Sequence, residues 1–188
     1  MNPVCVRCMT LSFGARSRRL AALVLLTALW CVPVVAQDGN KVSNFVRQAL
    51  AVRSKEIIAA AMEMPADKFG FKPSPQDMTF GQLILHAAVT NYQYCSKIGG
   101  VAEPELPKIG DSEPKDKLVE RLKSSFDFCT AALAKLDDST KSEMLTLADA
   151  KTSRAMAILT LTGAWNDHLT LQTDYLRATG RVPPTASN

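Results

Sequence analysis

Proline and glycine cut this chain into four stretches of about twenty residues, and inside each stretch apolar residues recur at helical spacing. The first, 42–62, places Phe45, Ala49, Val52, Ile57 and Ala60 on one side and ends before Pro65. A loop holding Pro73 and Pro75 leads to the second, which opens at Thr79. There "TFGQ" has the form of a capping box: the Thr79 hydroxyl accepts from the Gln82 amide, and the Gln82 side chain reaches back. This stretch runs to a stop at Gly99-Gly100. The third, 115–136, carries Leu118, Leu122, Phe126, Cys129 and Leu133 on one stripe. The fourth, 153–178, turns Ala157, Leu161, Ala164, His168, Leu171 and Tyr175 inward, with Gly180 and Pro183-Pro184 to end it. Between them "DDSTKSEMLTLADAKT" reads as a polar connection with one short helical turn, and nothing alternates long enough to predict a sheet. The expectation is an all-α four-helix bundle.

Connection lengths predict its topology. The linker 99–114 could reach roughly 50 Å when extended, whereas a helix of about 20 residues is only about 30 Å long. It can therefore return along the bundle and leave the second and third helices parallel. The cysteines favour that choice. Cys95 lies in the last turn of the second helix and Cys129 past the middle of the third. Parallel neighbours bring them level, and a disulfide requires α-carbons within about 7 Å. The prediction is an up-down-down-up bundle with a long crossover between helices 2 and 3, stapled by Cys95–Cys129.

The first 36 residues read as something other than bundle. Arg7, Arg16, Arg18 and Arg19 precede "LAALVLLTALWC", an apolar run short for a membrane span, and Val34 and Ala36 supply the small residues of a cleavage site before Gln37. This predicts a signal peptide over 1–36, with Met1 or Met9 as the start, and a domain over 37–188. The protein is expected to be exported, periplasmic or extracellular, touching membrane only through the leader. Bulky Trp30 argues against lipid attachment at Cys31. Cys5, Cys8 and Cys31 leave with the leader, so Cys95 and Cys129 remain as an even pair in an oxidising compartment. The four arginines leave too, so 22 basic residues fall to 18 and match the 18 acidic ones. A formally neutral domain with no basic run is not expected to bind nucleic acid; a small molecule or another protein is the class of partner left open.

The chain has two histidines, His86 and His168. In the expected topology helices 2 and 4 are antiparallel, and the depths of the two residues along them differ by roughly 5 Å, close enough for the rings to meet. They could ligate a metal, or they could be core histidines hydrogen-bonded to each other, to water, or to Tyr175 or Gln172. Other candidates are weaker. Ser96, His86 and Asp167 make a hydrolase-like triple with no elbow motif around the serine. Met62 and Met64 read as gap-filling packing, and Tyr92, Tyr94 and Trp165 as core and rim.

"FGFKPSPQDMTFGQLILHAA" together with "HLTLQTDYLRATGRVPP" resembles the DinB-like (damage-inducible) helical-bundle superfamily. The resemblance implies a divalent metal, nickel, zinc or iron, held by one histidine of helix 2 and two histidines four residues apart on helix 4. It implies thiol S-transferase- or hydrolase-like chemistry in some relatives. His86 and His168 match two of the three ligand positions; the third falls on Ala164, and Thr170 and Leu171 replace the "GQ" that often follows the last histidine. No catalytic residue can be assigned, and the expected metal is weakly bound or absent. Two readings follow: an exported, non-catalytic or weakly metal-binding bundle, and a divalent-metal-dependent enzyme.

Overall fold

The structure is a computed structural model that describes residues 39–184 apart from 148. The expected leader, 1–36, lies outside the described residues. Four helices, α1 (Lys41–Glu63), α2 (Phe80–Gly99), α3 (Lys115–Leu133) and α4 (Arg154–Ala178), form the bundle. Single 3-10 turns at Ala66–Lys68 and Asp138–Thr140 lie in the α1–α2 and α3–α4 connections. Among the described residues no helix is long and apolar enough to cross a membrane.

Helix directions can be read from contacts between ends. Cys95 and Cys129 are joined, with α-carbons 5.1 Å apart, and Asn91 donates to Ser125 at 3.0 Å, so α2 and α3 run parallel. Tyr175, near the end of α4, donates to the carbonyl of Met78 ahead of α2 (2.7 Å), and Arg154, at the start of α4, bonds the carbonyl of Ile98 at the end of α2. The α2–α4 pair is therefore antiparallel, and the up-down-down-up topology holds. α2 packs closely on its neighbours where two of its positions lack a side chain, Gly81 against the linker and Gly99 against the end of α3. A Cβ on Gly81 would sit 2.7 Å from the Asp111 carbonyl oxygen, and one on Gly99 would sit 2.4 Å from that of Ala132.

Remote side chains satisfy the helix ends, where backbone groups have no partner within the helix. At the start of α1, Asp138 accepts from the amides of Val42 (3.0 Å) and Ser43 (2.8 Å) and from the Ser43 hydroxyl (2.6 Å). Lys115 donates to the carbonyls of Met62 and Met64 at the other end of α1 (2.6 and 2.8 Å). Arg47 does the same for Leu133 and Leu136 after α3 (3.2 and 2.8 Å). Each charge faces the helix end whose dipole it complements. The predicted capping box of α2 is present: Gln82 donates its amide to Thr79 Oγ1 (3.0 Å), and Thr79 donates its amide to Gln82 Oε1 (2.7 Å).

Two parts of the fold differ from expectation. The segment after the second 3-10 turn forms an antiparallel hairpin, β1 (Met144–Leu147) paired with β2 (Ala150–Ser153). Its four-residue strands are too short for alternation to be distinctive, and they owe their place to Leu145 and Leu147 packing on the core. The inward stripes also need correction. Phe45 and Val52 are 53% and 51% exposed, while Val46, Leu50 and Ile57 are the residues α1 buries. Apolar residues occupy two faces of α1, so periodicity alone could not say which face is inside. Leu171 is 45% exposed; it lies about 60° around the helix from His168, at the edge of the buried stripe.

Two predictions follow from these contacts. Reduction of the disulfide, or Cys129→Ala, lowers the unfolding free energy by about 2–4 kcal/mol, read from urea denaturation. Asp138→Asn tests the cap of α1. The Ser43 hydroxyl above all, with the amides of Val42 and Ser43, holds the Asp138 carboxyl below the usual carboxylate range against the opposing effect of burial. A lowered folded-state pKa gives stability that is present above the unfolded value and lost as pH falls through the folded one. The variant is therefore less stable at neutral pH, and its deficit shrinks in acid; a deficit independent of pH would show that the carboxylate charge plays no part.

Candidate functional site

Helices α2 and α4 bring His86 and His168 together. Their ring centroids are 5.3 Å apart and the planes are nearly perpendicular, at 86°. The two rings occupy different environments. His168 is 5% exposed, whereas His86 stands at the surface. The pair is therefore not a buried core couple but one buried ring met edge-to-face by a solvent-facing one. Burial, reinforced by the neighbouring His86, pushes the His168 imidazole down from 6.5 to about 4, with Asp167 opposing. His168 is neutral at any ordinary pH and so offers one donor and one acceptor.

Around this pair the polar groups are mostly engaged elsewhere. Tyr175, two turns beyond His168, donates its hydroxyl to the Met78 carbonyl. Gln82, one turn before His86, spends its side chain on the capping box and on Asp111 (2.6 Å). Below the histidines Trp165 donates to Asn91 Oδ1 (2.8 Å), and Asn91 donates to Ser125, whose hydroxyl donates to the Leu122 carbonyl (2.7 Å). This satisfied buried line ties α4, α2 and α3 together beneath the site.

Gln172 is the exception. It lies one turn beyond His168 on the same face of α4, is fully buried, and neither Oε1 nor Nε2 has a hydrogen-bond partner among the described residues. Buried amides are almost always paired, and leaving one unpaired costs about 1–3 kcal/mol per group. Sequence reading noted its proximity to His168; its burial and lack of a partner are tertiary facts.

The remaining sequence candidates separate. Ser96 donates to the Gln93 carbonyl of its own helix (2.9 Å) and lies about 15 Å along α2 from His86, and Asp167 is exposed, so no hydrolytic triple forms. Trp165 and Tyr92 are core at 0% and 4% exposure, and Tyr94 is half-buried. Met64 is buried as packing, but Met62 is 52% exposed.

The sequence matches the model of the DinB superfamily over residues 49–171. The chain belongs to the DinB superfamily. Its fold is similar to that of a DinB-like protein from Bacillus subtilis, with a TM-score of 0.63 and 16% identity over 77% of this chain and 99% of the other. A DinB-like protein from Bacillus cereus gives 0.64 and 12% identity over 80% and 99%. No curated protein matches the sequence.

The donor set does not fit the three-histidine metal site that the resemblance implies. Ala164 stands where the third imidazole would be, and among the described residues no group of three His, Cys, Asp or Glu side chains converges. Catalytic divalent sites use three protein ligands with an open position. Two imidazoles with a neutral amide nearby are a poor substitute.

The buried imidazole predicts a pH dependence. The His168 pKa is lowered in the folded state, so between about 6.5 and 4 the unfolded chain binds the extra proton and stability falls as the medium acidifies. The contribution is on the order of 3 kcal/mol across that window. His168→Gln flattens this part of the stability–pH curve, measured by urea unfolding from neutral pH downward. A curve of wild-type slope would show that His168 is free to protonate in the fold.

Proposed function

We propose that this DinB-superfamily bundle is exported, and that the cluster of His86, His168 and Gln172 between α2 and α4 binds a small polar molecule without metal catalysis. The observation that carries this reading is the buried Gln172 amide, which lacks both of its hydrogen bonds beside a neutral imidazole. Together they present donors and acceptors of uncharged groups, which suits an amide-like or neutral carboxylic ligand. Export is supported by the basic, apolar and small-residue order of the leader and by pairing of Cys95 with Cys129, the behaviour of cysteines in an oxidising compartment. The competing reading is a divalent-metal enzyme, thiol S-transferase- or hydrolase-like. It is favoured by the neutrality of His168, since only the uncharged ring ligates.

Elemental analysis of purified protein separates the two. Substoichiometric nickel, zinc and iron, unchanged by His168→Gln, is expected; stoichiometric metal lost in that variant would establish the metalloenzyme. Ala164→His restores the third imidazole, and at least tenfold tighter zinc binding is expected if the α4 face still presents its ligand positions. Gln172→Leu tests the cluster itself. Removal of an unpaired buried amide raises the unfolding free energy by about 1–2 kcal/mol in the absence of ligand. A lower urea midpoint would mean that the amide is already satisfied within the protein, which overturns the reading.

A further inference from the structure

The linker between α2 and α3 and the face of α3 beside it enclose a groove of about 680 Å³. Leu106, Pro107 and Ile109 of the linker form an apolar wall, and Tyr92 of α2 reaches the groove from the core. The volume is that of a site for a small organic molecule.

Polar groups with unused donors converge here. Tyr92 is only 4% exposed and its ring packs on Phe128, with centroids 5.5 Å apart, yet its hydroxyl has no hydrogen-bond partner among the described residues. A buried tyrosine ordinarily satisfies that group within the protein. The oxygen itself is not sealed in the interior, and the space it meets is the groove. Burial above all holds the phenol above its ordinary value of 10, with Arg121 opposing and Asp127 and Glu120 adding to the rise, so the hydroxyl keeps its proton and can donate. Arg121 lines the same groove. Its Nη2 ties the linker through the Pro107 carbonyl (2.9 Å), and no carboxylate pairs with it. A guanidinium carries five N–H donors, so most of them remain for a ligand. Ser124, one turn further along α3, adds a hydroxyl that is also without a partner among the described residues.

The charges around the groove decide what can fill it. Lys117 and Arg121 are matched by Asp116 and Glu120. Lys117 is held by Glu113 at 3.0 Å, while Asp116 and Glu120 also border the neighbouring depression that contains Lys115 and Lys123. A dianion such as a phosphate ester would meet two carboxylates with one uncommitted guanidinium to offset them. A cation would meet that guanidinium. A single carboxylate accepts from Arg121 and from the Tyr92 hydroxyl together, in charge-assisted bonds, and an apolar body attached to it covers the linker wall.

We propose that this groove binds a small monocarboxylic acid with an apolar body, its carboxylate held by Arg121 and the Tyr92 hydroxyl and its body laid against Leu106, Pro107 and Ile109. This site is separate from the His86–His168 cluster between α2 and α4.

The whole chain is purified and titrated in a calorimeter with hexanoate, octanoate and phenylbutyrate. Phenylbutyramide, phenylbutylamine and phenyl phosphate serve as neutral, cationic and dianionic counterparts. At least one acid is expected to bind with a Kd of about 1 mM or lower, at least about tenfold tighter than every counterpart. Arg121→Met and Tyr92→Phe each weaken that acid at least about fivefold, and Tyr92→Phe keeps the wild-type urea midpoint because its hydroxyl bonds nothing in the protein. Absence of binding by all three acids at about 5 mM overturns the proposal. So does a counterpart that binds as tightly as the acid, and so does an affinity unchanged by either variant, since the carboxylate would then be held elsewhere. A lowered midpoint for Tyr92→Phe also overturns it, because the hydroxyl would then be satisfied within the fold.

Discussion

Parallel packing of α2 on α3 is the constraint on which the rest of the structure depends. Parallel neighbours align their dipoles unfavourably and cannot be joined by a tight turn, so the arrangement needs other support. The linker between the helices runs the length of the bundle. Gly81 lets the linker lie against the start of α2, Gly99 lets the end of α3 approach the end of α2, and Cys95–Cys129 locks the register of the two helices. With α2 and α3 pointing the same way, α1 and α4 close the bundle antiparallel to them. That is what places His86 opposite His168: reversing α2 would move the histidine of helix 2 about 10 Å along α4, out of reach of His168.

Cohesion between elements is carried as much by directed polar contacts as by apolar burial. Asp138, Lys115 and Arg47 each close the end of a helix distant in sequence. Arg154 bonds the end of α2 while its own amide donates to Glu143 of the α3–α4 connection (2.8 Å). Such bonds have direction as well as strength, so they fix how far each helix may slide along its neighbours. The Trp165–Asn91–Ser125 line does the same at mid-height. Against this background of satisfied groups, the Gln172 amide is buried with no partner among the described residues, one turn from the neutral His168.

Departure from the three-histidine pattern has a physical consequence. Ala164 offers a methyl group where the three-histidine pattern places an imidazole donor. What lies between α2 and α4 at this level is one buried ring and one ring at the surface.

Local chemistry written in the sequence determined the helices and their ends. Thr79–Gln82 and Gly180 act within a few residues of themselves, and Pro65 cannot be helical whatever surrounds it. The four-helix count, the linker length and the positions of Cys95 and Cys129 were enough to predict the topology, because a helix has a known length and a disulfide a short reach. The pairing of His86 with His168 followed from the same arithmetic. Only the tertiary structure decided which apolar face of α1 is inside, because Phe45 and Val46 are equally apolar and the neighbouring helices choose between them. The β1–β2 hairpin also needed the core beneath Leu145 and Leu147 to give it a place. The different fates of the two histidines, and of Gln172, arise from burial and missing partners, properties of the surrounding atoms and not of the residue or its neighbours in the chain.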